Sequence, residues 1–162
     1  METNEIYKMA KSVGMSANCK DRMSSDLSIK NLCEMYFAGD DWSMKNDFPK
    51  LDVLREFTGK SEAYGLFTDY VGMPNNLEKA AFFGNSNIQM IYNGFTVSQL
   101  ILRHKTKAKI KVADHAILIV NILDSAELEI ESIDGSRAEI FSYGNGKIQS
   151  IGDVRIHKSI FK

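Results

Sequence analysis

Proline is scarce in this chain: there are two in 162 residues, Pro49 and Pro74, and none follows Pro74. Proline cannot donate to a hydrogen-bonded ladder, so its absence leaves the second half open to uninterrupted strand pairing. Cysteine is equally sparse. Cys19 and Cys33 are too few for a disulfide framework and have no Cys or His at metal-ligand spacing, so both read as reduced thiols and no metal is implied. Charge of one sign is not in excess: 20 Lys and Arg face 21 Asp and Glu, for a net charge of -1, which argues against a broadly basic nucleic-acid binder. No apolar run approaches the ~20 residues that span a bilayer, and METNEIYKMAKS at the N-terminus has no secretory apolar stretch. A soluble cytoplasmic protein with no membrane partner is therefore expected. Disorder is excluded, since 44% of the residues are hydrophobic.

What is present divides the chain into unlike parts, with a helical region over residues 1–60, a connecting segment over 61–83 and a repeat domain over 84–162. Asn4 to Val13 carries Ile6, Met9, Ala10 and Val13 on one stripe, with Gly14 beyond its end. Met15 to Ser25 is polar and reads as loop. Asp26 stands where an N-cap belongs, ahead of Ile29, Leu32, Cys33, Tyr36 and Phe37 at helical spacing. Asp40 can cap a short helix bearing Trp42 and Met44. Asp47-Phe48-Pro49 reads as the cap and first turn of another, with Leu51, Leu54 and Phe57 buried and Gly59 ending it.

From Gly84 onward, residues ten apart resemble one another. Ala116, Ala126, Ser136 and Gly146 are small, Ile110, Val120, Ile130 and Ile140 are aliphatic, and Asp114, Asp124 and Asp134 open successive units. This is the mark of a repeat architecture. Even-numbered residues are the small or apolar ones, so they face inward, and ten being even preserves that parity. A β-solenoid and an antiparallel β-meander or sandwich both satisfy the parity, and the outward charges choose between them. Lys107, Lys109 and Lys111 are followed twenty residues later by Glu127, Glu129 and Glu131, and Lys147 follows Glu127 by twenty. In a parallel coil of twenty residues these stack as Lys-Glu-Lys about 4.8 Å apart. The expected fold is α+β, with short N-terminal helices packed on a parallel β-solenoid of about four coils.

Two surfaces stand out. Val97, Ile101, Ile117, Ile119, Leu123, Phe141 and Tyr143 fall at outward positions of one sheet, too apolar a surface for plain solvation. The helices or another subunit would cover it. Arg103, Lys105, Lys107, Lys109 and Lys111 put five cations at alternate positions, a candidate phosphate-binding row, although no aromatics interleave to stack bases. Stacked Asp114 and Asp134 could hold Ca²⁺, but turn formation is the ordinary role of Asp at corners. His104, His115 and His157 lack a nucleophile context or an H-x-x-x-H pair, and no glycine-rich phosphate loop occurs. Neither a catalytic residue nor a cofactor is implied. An enzymatic reading would need a cleft around Tyr64, Phe67 and Tyr70.

The stretches LCEMYFAGDDWSMKNDFPKLDVLREF and YNGFTVSQLILRHKTKAKIKV, with the repeated D-x-A-x-L-x-I units, resemble small uncharacterised phage and prophage proteins of gut bacteria. The resemblance covers residues 28–150 and implies a mobile-element origin, in host cytoplasm or virion, with no catalytic residue carried over. The repeat half alone is similar in pattern to polymer-forming bacterial β-solenoid proteins that assemble end to end, from which the helical N-terminus departs. The functional expectation is a non-enzymatic structural or protein-interaction protein, a virion accessory component or host-factor binder that meets a protein partner or itself. The alternative is a nucleic-acid-binding module using the Arg103–Lys111 row.

Overall fold

The computed structural model of the chain describes residues 1–161, and among them lie five short α-helices followed by eleven strands. Two compact units divide at Leu66.

In the first unit the helices are α1 (Thr3–Ser12), α2 (Ala17–Ser25), α3 (Ile29–Ala38), α4 (Asp40–Asn46) and α5 (Leu51–Arg55). α2 occupies the stretch expected to be loop. Its apolar stripe is a narrow one, Cys19 and Met23 with Met15 just ahead, diluted by polar neighbours. Ser16 supplies the start by accepting the Cys19 N–H at 3.3 Å. The cap of α3 is Ser28 rather than Asp26: Ser28 Oγ accepts from Asn31 N, while Asp26 accepts the Ser28 N–H at 2.8 Å. Those bonds also order Asn31, whose amide donates to the Asp26 carbonyl and whose Oδ1 accepts from Arg22 Nε. Asp40 lies in the first turn of α4, with Gly39 at its N-cap. Asp47 ends α4 in the left-handed region, and α5 starts at Leu51, two residues beyond the expected Pro49. Ile6, Ala10, Met15, Met23, Val53 and Phe57 form the buried cluster of this unit, while Leu51 is only half-buried.

The second unit is a parallel β-solenoid of about four turns. Sheet A runs in the order β1 (Leu66–Thr68), β3 (Lys79–Phe83), β5 (Val97–Leu102), β7 (Ile117–Ile122), β9 (Arg137–Ser142), β11 (Val154–Lys158). Sheet B runs β2 (Val71–Gly72), β4 (Asn87–Tyr92), β6 (Lys107–Val112), β8 (Glu127–Ser132), β10 (Lys147–Gly152). Lys107 pairs with Glu127 and Glu127 with Lys147, the twenty-residue register that the charge spacing requires. A meander would have made neighbouring strands antiparallel, and every pairing described is parallel. Even-numbered side chains fill the interior: Leu118, Val120 and Ile122 are fully buried. Each contributes about 1.5–3 kcal/mol by leaving water.

Strands begin at Leu66, before the period becomes visible at Gly84. The cause is a coil of different length: Val71 pairs with Asn87, sixteen residues on, and no ten-residue period can show through that spacing. The last coil is short as well, with Val154 paired to Ala138. Corners are made by left-handed residues, His104, Asp114, Asp124 and Asp134 at φ between 52° and 58°, with Gly84 and Gly94 in the same role. Asp and His tolerate this region better than most residues do, and their short polar side chains remain available for hydrogen bonds.

Candidate functional site

The outer face of sheet B is a grid laid down by the register. β4 presents a neutral row, Asn87, Gln89 and Ile91, and β6 a basic row, Lys107, Lys109 and Lys111. β8 presents an acidic row, Glu127, Glu129 and Glu131, and β10 a mixed row, Lys147, Gln149 and Ile151. All twelve are exposed or half-buried. Lys109 Nζ lies 3.7 Å from Glu129 Oε2, a solvated pair worth at most about 1 kcal/mol. Ile91 and Ile151, with Met73, line a shallow depression along one margin. The expected five-cation row is shorter. Arg103 and Lys105 sit at the corner before β6, and Arg103 is buried, its guanidinium 3.2 Å from Asp124.

The seven apolar residues expected on sheet A separate by position and exposure: five lie on its strands, whereas Leu123 and Tyr143 fall one residue beyond the ends of β7 and β9, at the corners. Ile101 and Leu123 are buried, Ile119, Phe141 and Tyr143 half-buried, and Val97 (63%) and Ile117 (39%) exposed. Phe141 and Tyr143 belong to aromatic columns near the C-terminal end. Phe141 stacks on His157 at 4.9 Å between centroids, and Tyr143 on Phe161 at 4.5 Å. His157 Nε2 is also 2.6 Å from Glu139. That hydrogen bond, assisted by Arg155, holds the Glu139 carboxyl below the usual range. A third column sets His115 on Phe95 at 4.9 Å with the rings nearly parallel. Two of the three histidines are therefore stacked on aromatic rings rather than simply solvated. The signal was available, since Phe95 and His115 are twenty apart and Phe141 and His157 sixteen.

His104 does something else. Its Nδ1 accepts the Gly84 N–H at 3.1 Å, while its own N–H donates to Asp124 Oδ2 at 2.9 Å. Each corner side chain in this column thus satisfies the backbone of the corner one coil earlier. Burial would raise Asp124, but the His104 N–H and the Arg103 charge outweigh it and hold the carboxyl below its ordinary range. Among the described residues no cluster of His, Cys, Asp or Glu could hold a metal ion, and no helix is long and apolar enough to cross a membrane.

Of the aromatics around which a cleft was conceivable, Phe67 and Tyr70 pack with Phe82 instead; the Phe67 and Phe82 rings stack at 4.8 Å in the solenoid interior. A cavity of about 260 Å³ lies within the helical unit, lined mainly by apolar side chains that include Met15, Met23, Met35 and Trp42, and by both cysteines. Burial, then the charges of Glu62 and Glu34, push the Cys33 thiol up to about 12, so it is a protonated apolar group and not a nucleophile at neutral pH. No family model, curated protein or solved structure matches the chain.

Proposed function

We propose that this is a non-enzymatic structural or protein-interaction protein of phage or mobile-element origin, in which the β-solenoid is a rigid scaffold for a protein partner. A virion accessory component and a host-factor binder both fit this reading. The observation that carries it is the invariant twenty-residue register through the central coils. That register fixes outward side chains in straight ladders about 4.8 Å apart, a preorganised surface that loses little entropy when a partner docks. The resemblance of residues 28–150 to phage and prophage proteins supports the origin.

Nucleic acid fits the surface less well. The basic row is one strand wide, and the acidic row lies alongside it, strand to strand.

The exposed margin of sheet A, Val97 and Ile117, is where an apolar contact would form. The test is affinity capture from host or virion lysate by the immobilised full-length chain, beside a Val97→Asp, Ile117→Asp double variant with an unchanged circular dichroism spectrum. A protein retained by the wild type and lost with the variant supports the reading. Equal recovery on both, or none on either, overturns it.

A further inference from the structure

We propose that the outer face of sheet B docks on the same face of a second copy of this chain, about a two-fold axis that runs parallel to the strands midway between β6 and β8. This goes beyond the scaffold reading, because it names the occupant and a different surface.

The inference comes from the row order of the grid. Rotation about that axis lays one copy over the other so that β6 faces β8 and β4 faces β10, with position along the strands conserved. Lys109 of one copy then stands over Glu129 of the other, and the two flanking Lys-Glu pairs follow the same rule, because all six share the aligned register. In the outer rows Gln89 meets Gln149, and Ile91, 41% exposed, meets Ile151, 68% exposed. Every charge on the two inner rows finds its opposite, amide meets amide, and the exposed isoleucines meet each other. Such self-complementarity is what an isologous two-fold contact requires.

Competing arrangements lack this property. Moving the axis onto β6 places lysine over lysine, and moving it onto β8 places glutamate over glutamate. An axis along the stacking direction sets every charged row on itself. Charge alone therefore selects one register. Partners built from other sequences would have to reproduce a basic row beside an acidic row at strand spacing, whereas a second copy presents one by construction.

The footprint sets the strength. Six residues of about 3.3 Å by four strands of about 4.8 Å give a patch of roughly 400 Å² per copy, about half the 800 Å² per partner of a standard stable interface. The dimer is therefore weak, populated at high protein concentration and low salt, where exposed charges are least screened. The apolar margin supplies the part that salt does not remove.

Sedimentation velocity on the full chain tests it, from about 10 μM to 1 mM in low and in high salt. The expected result is a monomer–dimer equilibrium whose dissociation constant rises about tenfold or more with salt. Two triple variants, Lys107, Lys109 and Lys111→Glu and Glu127, Glu129 and Glu131→Lys, should each be monomeric, and their equimolar mixture should form a heterodimer. Because either triple variant sets like charges on adjacent strands, folding is checked by circular dichroism. The six-fold exchange of both rows restores opposite charges between β6 and β8 and, combined with Lys147→Glu so that β10 again opposes β8 at that position, should dimerise as the wild type does. Lys109→Gln is the mild variant that keeps the fold and weakens the dimer. A wild type that stays monomeric at 1 mM in low salt, a dimer indifferent to Lys109→Gln and to salt, or folded triple variants that do not combine overturns the proposal. The scaffold function stands or falls independently, on the capture experiment with Val97 and Ile117, which lie on the other sheet.

Discussion

Asp124 accepts the backbone N–H of His104, twenty residues earlier, at 2.9 Å, and the same carboxylate holds the buried Arg103 guanidinium at 3.2 Å. One side chain thus satisfies a corner amide and neutralises a cation that burial would otherwise make costly. Asp124→Ala removes both functions and places a Cβ-bearing residue with no polar side chain in the left-handed region. The expected loss is about 3 kcal/mol by urea unfolding. Asp124→Asn keeps the amide acceptor and tolerates the backbone, and should cost about half as much.

The same pair sets a pH dependence. The Asp124 carboxyl is held below its ordinary range in the folded state, so its contribution is complete above the unfolded value of about 3.9 and is lost as pH falls through the lower folded value. The stability gap between wild type and Asp124→Asn should be constant near pH 7 and close as pH drops below about 4. Urea midpoints at both ends of that range check it, and a gap that widens in acid would contradict the assignment.

Gly152 closes β10 at φ +88°, and a Cβ there would overlap the Ser132 carbonyl oxygen of the neighbouring strand. No flexible side chain can yield at that contact, because the obstacle is backbone. Gly152→Ala should therefore destabilise the chain by about 2–3 kcal/mol and expose the final coil to proteolysis before the rest. Thermal melts combined with limited proteolysis read both effects.

Cys33 is buried and its thiol is pushed up to about 12, whereas Cys19 is half-buried. At pH 8 a thiol reagent should modify Cys19 first, with Cys33 reacting only as the helical unit opens. Mass spectrometry over a time course gives the order. Simultaneous modification would show that the helical unit is open in solution.

Removal of Asn87–Thr106 takes out one twenty-residue coil and joins Ser86 to Lys107. Inward parity and sheet identity survive, and Asp124 comes to stand one coil after Gly84, whose N–H it can accept in place of His104. The shortened chain should fold cooperatively, with a lower Tm from lost nearest-neighbour stacking. Removal of ten residues instead exchanges the two sheets, setting their unlike corners and outer faces against each other, and should abolish cooperative unfolding. Circular dichroism melts separate the two.

The ten-residue spacing of Asp114, Asp124 and Asp134 and the alternation of Leu118, Val120 and Ile122 were enough to place strands and their inward face. The Lys107-Glu127-Lys147 spacing fixed the coil at twenty residues and the strands as parallel. This much was legible because each coil repeats the same environment, so local pattern and long-range contact carry the same message. α2 was obscured because its stripe of Met15, Cys19 and Met23 is narrow and its cap is a single serine among many polar residues. The first coil was obscured because its sixteen-residue spacing breaks the period.

On the surface, the sequence by itself determined which residues point outward and in what charge order, since parity and period are properties of the chain. The tertiary structure decided which of them remain on the surface and what they meet. It withdrew Arg103 into a buried pair with Asp124, set His115 and His157 on aromatic rings, and left Ile91 and Ile151 exposed at the margin of the charged grid. The physical reason is that periodicity specifies direction along a strand, whereas burial and partner choice depend on neighbours that only coil stacking brings together.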